Sequence, residues 1–247
     1  MPCADDETVV LDLHASSIEL TRQICDIESV SGNEKMLADA IEASLAGLHH
    51  LEIFRDGDTV VARTRFGHSQ RVIIAGHLDT VPLNNNLPTR YETIGGHEFL
   101  WGRGTVDMKA GVAVQLKLAA ELVAPAVDIT WMWYDHEEVS STFNGLSRLA
   151  AQRPDLFVGD FAIVGEPSNS QIEGGCNGNL RIEVRAHGRR AHSARGWVGE
   201  NAIHKLAPVL AVLAAYQARE VEVDGLVYRE CLNAVGISGG VAGNIIP

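Results

Sequence analysis

The sequence predicts an α/β fold: a mixed, largely parallel central sheet flanked by helices, followed by a smaller α+β domain. Three observations carry this. The apolar runs at 71–76, 127–134 and 161–164 are near-continuous, the pattern of strands buried on both faces. The stretches before and between them hold apolar residues at helical spacing. After about residue 178 the pattern changes to alternating strands around one helix, which separates a first domain, 1–178, from a second, 179–247.

Taken in order, Ile18, Leu20, Ile24 and Ile27 recur at roughly helical spacing and predict a helix over 16–28. Ser31-Gly-Asn-Glu34 has the form of a helix cap and leads into a second helix, about 33–46. Strands at 51–54 and 59–62 flank Asp56-Gly57, a hairpin signal because glycine accepts the left-handed backbone of a tight turn. The strand at 71–76 comes next. Asn84-Asn-Asn86 and Gly95-Gly96 mark a loop region with a short ribbon near Phe99-Leu-Trp101. An Ala- and Leu-rich helix runs over 108–123 and stops before Pro125. Trp131 and Trp133 sit inside the 127–134 run and read as sheet core. In the second domain, strands at 180–186 and near 232–238 enclose a helix at about 201–216.

The chain has 247 residues, 46% hydrophobic and 21% charged, a globular composition. Its 32 acidic and 20 basic residues leave a formal net charge of −12. That argues against nucleic acid as a partner, because no basic surface is available to displace counterions from phosphates, and equally against anionic membranes. The start, Met1-Pro-Cys-Ala-Asp-Asp-Glu7, is acidic and lacks the basic-then-apolar order of a secretory signal. No apolar run approaches the ~18 residues of a membrane helix. Cys3, Cys25, Cys176 and Cys231 show no CxxC spacing and read as free thiols in a reducing, cytoplasmic compartment.

Four clusters carry chemistry. His77-Leu-Asp79 ends the 71–76 strand, and residues two apart in an extended chain share a face. Both therefore project from the strand's carboxyl end, where open α/β sheets place their sites. An imidazole beside a carboxylate is a metal ligand with its orienting partner. In Gly102-Arg-Gly-Thr-Val-Asp107-Met-Lys-Ala-Gly111 an acid opens a helix; alone, Asp107 reads as well as an N-terminal cap, and Lys109 as a neutralising neighbour. Tyr134-Asp135-His136-Glu137-Glu138 comes directly after the buried strand, and adjacent carboxylates there repel unless a cation lies between them. Gly165-Glu166-Pro167 puts another acid after a core strand. All can converge on one sheet edge. One imidazole among several carboxylates calls for a pair of divalent ions; nitrogen and oxygen donors without thiolate suit zinc and admit cobalt or manganese. One acid is left to take a proton from water.

These motifs, with Ala191-His192-Ser193 and Gly243-Asn244-Ile-Ile-Pro247, resemble the zinc-dependent aminoacylase and carboxypeptidase family, which includes succinyl-diaminopimelate desuccinylases and acetylornithine deacetylases. They occur in family order over about two-thirds of the chain, and the full run looks most like desuccinylases of the actinobacterial type. The resemblance implies amide hydrolysis of an N-acyl amino acid, two zinc ions (cobalt as a substitute), a cytoplasmic homodimer, and a second domain acting as lid and dimerisation element. It implies that His77 and Glu166 bind one zinc, Glu138 the other, and Asp107 bridges both with a cis peptide after it. Asp79 would orient His77, and Glu137 would be the general base. His192 would reach the partner subunit's site and donate to the oxyanion. Arg181 and Asn244 would contact substrate.

The sequence departs from the family in two places. His136 stands where a small acid usually precedes the two glutamates, with Asp135 one place earlier. The apolar end, Gly239 to Pro247, has no closing element and reads as a cut. The resemblance places a further histidine for the second zinc in a C-terminal segment that also completes the sheet, so weak second-metal binding and little turnover are expected of these 247 residues. Two rival readings stand beside this one: an inactive truncated or dimerising fragment, and a serine hydrolase built on Gly236-Ile-Ser238-Gly-Gly240. The latter needs a strand, a tight turn and a helix, and the residues after Ser238 lack a helix pattern.

Overall fold

A computed structural model describes residues 9–247; the acidic start and Cys3 lie outside them. The chain forms two compact units, one ending at Ser170 and the other Gln171–Pro247. The division falls somewhat earlier than the 178/179 boundary expected from composition.

In chain order the first unit holds α1 (Ser17–Asp26), α2 (Lys35–Leu45), β1 (Glu52–Asp56), β2 (Thr59–Arg63), β3 (Arg71–His77), β4 (Arg90–Ile94), β5 (His97–Trp101), α3 (Lys109–Glu121), β6 (Asp128–Tyr134), α4 (Gly145–Gln152) and β7 (Phe161–Val164). Five strands form one sheet in the order β1-β2-β6-β3-β7. β1 and β2 are an antiparallel hairpin whose turn holds Gly57 at φ 60°. β2 pairs antiparallel with β6, while β3 lies parallel between β6 and β7. Parallel strands need a crossover, and α3 supplies the one from β3 to β6. The sheet is thus mixed, with a parallel half formed from the three apolar runs.

Both faces are covered at β6 and β2, whereas β7, expected to be buried on both faces, is an edge strand exposed at all four residues because β3 is its one neighbour among the described residues. Trp131 and Trp133, each 0% exposed, point with Val60 and Ala62 into a layer made by Leu20 and Ile24 of α1, Leu37 and Ile41 of α2, and Val112 and Leu116 of α3. Met132 and Tyr134 point the other way, toward Leu149 of α4 and Leu156 of a short 3-10 turn. This period-two alternation makes every residue of β6 buried and explains its near-continuous apolar sequence, broken by Asp128 and Thr130, both of which are buried and hydrogen-bonded. Each fully buried large apolar side chain contributes about 1.5–3 kcal/mol, so β6 anchors the sheet against both layers. α4 is an addition to the expected elements; its signal is Asn144, whose side chain accepts the Ser147 amide as an N-cap.

The second unit holds β8 (Ala191–His192), α5 (Ala202–Lys205), α6 (Ala207–Ala215), β9 (Arg219–Val223), β10 (Leu226–Glu230) and β11 (Ile245–Ile246). Three expectations change here. The helix expected over 201–216 is two, divided at Leu206, with Pro208 in the first turn of α6, where its missing N–H costs nothing. Residues 180–186 and 232–238 carry no ladder, because neither finds a neighbouring strand among the described residues. Besides the short pair β8 and β11, the strands that form are β9 and β10, an antiparallel hairpin around Asp224-Gly225, a turn signal between alternating flanks.

Candidate metal centre

The parallel half of the sheet places the ends of β3, β6 and β7 on one edge. β3 ends at His77, β6 leads into 135–138, and β7 into Gly165-Glu166. Asp107 precedes α3, and the Asp107–Met108 peptide is cis. The helix comes close here: a Cβ on Gly111 would lie 2.4 Å from the Gly165 carbonyl oxygen, so only glycine lets Asp107 and Glu166 approach.

One ligand atom each from His77, Asp107 and Glu166 lies within 4.8 Å of the other two. His77 is 1% exposed, and its Nδ1 lies 2.9 Å from the backbone oxygen of Asp79, which directs Nε2 outward. Nε2 is 3.1 Å from Asp107 Oδ1 and 3.8 Å from Glu166 Oε1. Burial works against a charged His77, but Asp79, Glu166 and Asp107 outweigh it and raise its pKa to about 9. Glu166 is pushed above the ordinary carboxylate range by burial and by Asp107, Glu137 and Glu138. Glu138 is raised by burial and by Asp107, though it lies outside the three-residue group. The site therefore demands positive charge, whether a proton on His77 or a divalent ion. The donor set, one imidazole with carboxylates and no thiolate, fits zinc.

Asp79 is wholly buried and holds more than His77. Its Oδ1 accepts the Glu137 amide at 2.9 Å, and its Oδ2 accepts the Glu138 amide at 3.0 Å and the Ser31 hydroxyl at 2.6 Å. Burial opposes its ionisation, but the bonds from His77, Ser31 and the two amides prevail and lower its pKa to about 2. Ser31 is thus not a helix cap, as its sequence context suggested. α2 begins after Glu34 without a side-chain cap, and the Ser31 hydroxyl serves the site.

His136 adopts φ 60°. One residue earlier, Asp135 accepts Arg148 at 2.8 and 3.1 Å, the Thr59 hydroxyl, and His136 Nδ1 at 2.7 Å. Burial opposes the Asp135 anion, but these partners, Arg148 foremost, hold its pKa down. Lys109 does not neutralise Asp107. It runs inward, 1% exposed, and donates to the carbonyls of Ile27 at 2.8 Å and Ile24 at 3.3 Å, at the end of α1.

The other residues that the sequence nominates, His192, Asn244 and Arg181, lie in the second unit. His192 starts the short 193–198 turn, its Nδ1 accepting the Ala194 amide at 3.1 Å, which leaves the proton of a neutral ring on Nε2. β8 and β11 pair His192 with Ile245, and the Asn244 carbonyl accepts the Ser193 amide at 2.9 Å, so His192 and Asn244 are neighbours. Arg181 stands exposed on an irregular stretch. Ser238 has neither a strand before it nor a helix after it, so the nucleophile-elbow context is absent.

Residues 73–228 match the family model for peptidase family M20/M25/M40. A succinyl-diaminopimelate desuccinylase of Corynebacterium glutamicum is 48% identical over 242 residues, covering 96% of this chain and 64% of that protein. A Mycobacterium tuberculosis protein provisionally named for the same activity is 51% identical over 239 residues, covering 96% of this chain and 66% of its own length. The chain thus spans just under two thirds of these relatives. Among solved structures, a Staphylococcus aureus tripeptidase superposes with a TM-score of 0.62 at 16% identity, over 96% of this chain and 64% of that one, a likeness of fold alone.

Proposed function

The chain belongs to peptidase family M20/M25/M40, and on that premise we propose that it serves a di-zinc amidohydrolase that cleaves N-succinyl-LL-2,6-diaminopimelate to succinate and LL-diaminopimelate. The observation that carries this reading is the convergence of His77, Asp107 and Glu166 from three distant stretches of chain. The names of the actinobacterial relatives support the substrate.

In this reading His77 and Glu166 would hold one zinc and Glu138 the second, with Asp107 as the ligand shared between them. Bound zinc supplies Lewis acidity to a water and to the scissile carbonyl. Glu137 receives the proton that the attacking water gives up and returns it to the leaving amine. Asp79 fixes the His77 ring and both glutamate amides. His192, with its proton on Nε2, donates to the oxyanion across a homodimer, a contribution of about 2.7–4 kcal/mol for a good donor. Arg181 and Asn244 contact substrate. We place the protein in the cytoplasm, which the free thiols of Cys25, Cys176 and Cys231 support; no helix among the described residues is long and apolar enough to cross a membrane.

The test is zinc uptake followed by a panel of N-acyl amino acids. With the 247 residues joined to the downstream segment of their desuccinylase relatives, succinate release from the diaminopimelate conjugate, abolished in Glu137→Ala with zinc content unchanged, is the expected result, against little turnover by the 247 residues alone. Preference for N-acetylornithine would replace the substrate. Activity surviving in Glu137→Ala would remove it as the base.

A further inference from the structure

Three consecutive backbone amides, those of His136, Glu137 and Glu138, are each held by a carboxylate from elsewhere in the fold. Asp79 takes the second and third. The first, from His136, donates to Glu34 Oε1 at 3.2 Å. Glu34 is 0% exposed and more than a hundred positions away in sequence, at the entry to α2. The same oxygen lies 3.5 Å from His136 Nδ1, whose proton goes to Asp135 Oδ2 at 2.7 Å, because a carboxylate can only accept. Asp135 is in turn gripped by Arg148, which also bonds Asp56.

A non-glycine residue at positive φ is costly unless its surroundings fix it. Here the left-handed turn at His136 separates its amide from the next two, so that one faces Glu34 and the others face Asp79. Without Glu34, nothing else among the described contacts holds the His136 amide.

We infer that Glu34 and His136 are positioning residues: Glu34, through the His136 amide, fixes the turn that aims Glu137 and Glu138 at the metal group. Neither touches a reacting atom. The inference rests on the di-zinc reading for its consequence, but the clamp itself is independent of metal.

The experiment has two readouts on the full chain. Hydrogen exchange of the metal-free protein reports the clamp, and titration with Co2+ followed by its visible absorption reports the site. Glu34→Leu keeps the buried volume and removes the acceptor; it should speed exchange of the 136–138 amides at least tenfold. It should also weaken Co2+ binding by about 10–100-fold, as loss of a supporting contact does, and change the absorption band. Glu34→Gln keeps an acceptor oxygen and should restore both within about threefold of the starting chain. If Glu34→Leu does not fold, His136→Val, on a partly exposed turn and unsuited to positive φ, should loosen the same amides. A folded Glu34→Leu or His136→Val protein with unchanged exchange, or with unchanged Co2+ affinity and spectrum, overturns the inference. An unsubstituted chain that takes up no Co2+ would instead overturn the metal reading, while exchange still decides the clamp.

Discussion

Replacing Asp79 with alanine should be among the most damaging single changes in the first unit. The carboxylate is 0% exposed and accepts two backbone amides and a hydroxyl, all at 2.6–3.0 Å. Each buried donor left without a partner costs about 1–3 kcal/mol. Two amides and a hydroxyl together, less what is regained by no longer desolvating an anion, give a loss of about 3–5 kcal/mol, the range for breaking a buried charge pair. The pH dependence derives from the depressed pKa, about 2 against an ordinary 3.8. A carboxyl depressed in the folded state stabilises it above its unfolded pKa, and that stabilisation is lost as pH falls through the folded value. The gap is worth about 2 kcal/mol. Urea unfolding of the metal-free chain, followed by the fluorescence of buried Trp131 and Trp133, should show the full deficit near neutral pH. The deficit should narrow between about pH 4 and pH 2. A loss below about 1 kcal/mol at neutral pH, or a deficit independent of acid, would refute the claim that Asp79 is an ionised hub.

Gly111→Ala should leave the fold intact at a cost of about 1–3 kcal/mol, because the new methyl meets the Gly165 carbonyl and displaces Glu166. Zinc affinity should fall at least tenfold by calorimetry, and unchanged affinity would contradict the close-approach argument. Lys109 is held down to about pKa 8 by burial, so folding disfavours its charged form and stability should rise as pH climbs through that value toward the unfolded pKa. Between about pH 8 and pH 9 the gain is on the order of 0.5–1 kcal/mol and should vanish in Lys109→Met. A gain that persists in that variant has another source. Burial pushes the Cys25 thiol up to about 12, so native-state alkylation mapped by mass spectrometry should modify exposed Cys176 and Cys231 and spare Cys25 until the protein is unfolded. Equal rates would show that the α1 layer opens readily.

Much of the first unit is legible in its sequence because β6 is buried along its whole length and β3 at its carboxyl end, and near-continuous apolar runs record that burial; the same pattern misleads at β7, an edge strand exposed at all four residues. The acids at their carboxyl ends are legible for the same reason: strand direction fixes which edge they share. Pairing across distance is not legible in this way. Ser31 and Glu34 look like a cap, and only the fold shows their oxygens turned to Asp79 and His136. Lys109 looks like a counterion to Asp107, but the rotation of α3 sends it toward the carbonyls that end α1. In the second unit, alternation at 180–186 and 232–238 suggests strands, yet a ladder also requires a partner edge, which no local pattern encodes. The Asp224-Gly225 hairpin is legible, since both its turn and its flanks are local.

The account stands on carboxylates from distant stretches being gathered around a divalent cation. X-ray absorption at the zinc edge, on the chain loaded with one equivalent of zinc, tests this most directly. The prediction is a first shell of nitrogen and oxygen at about 2.0–2.2 Å with a single imidazole contribution that disappears in His77→Ala. A sulfur shell, two or more imidazoles, or a spectrum unchanged by His77→Ala would contradict it.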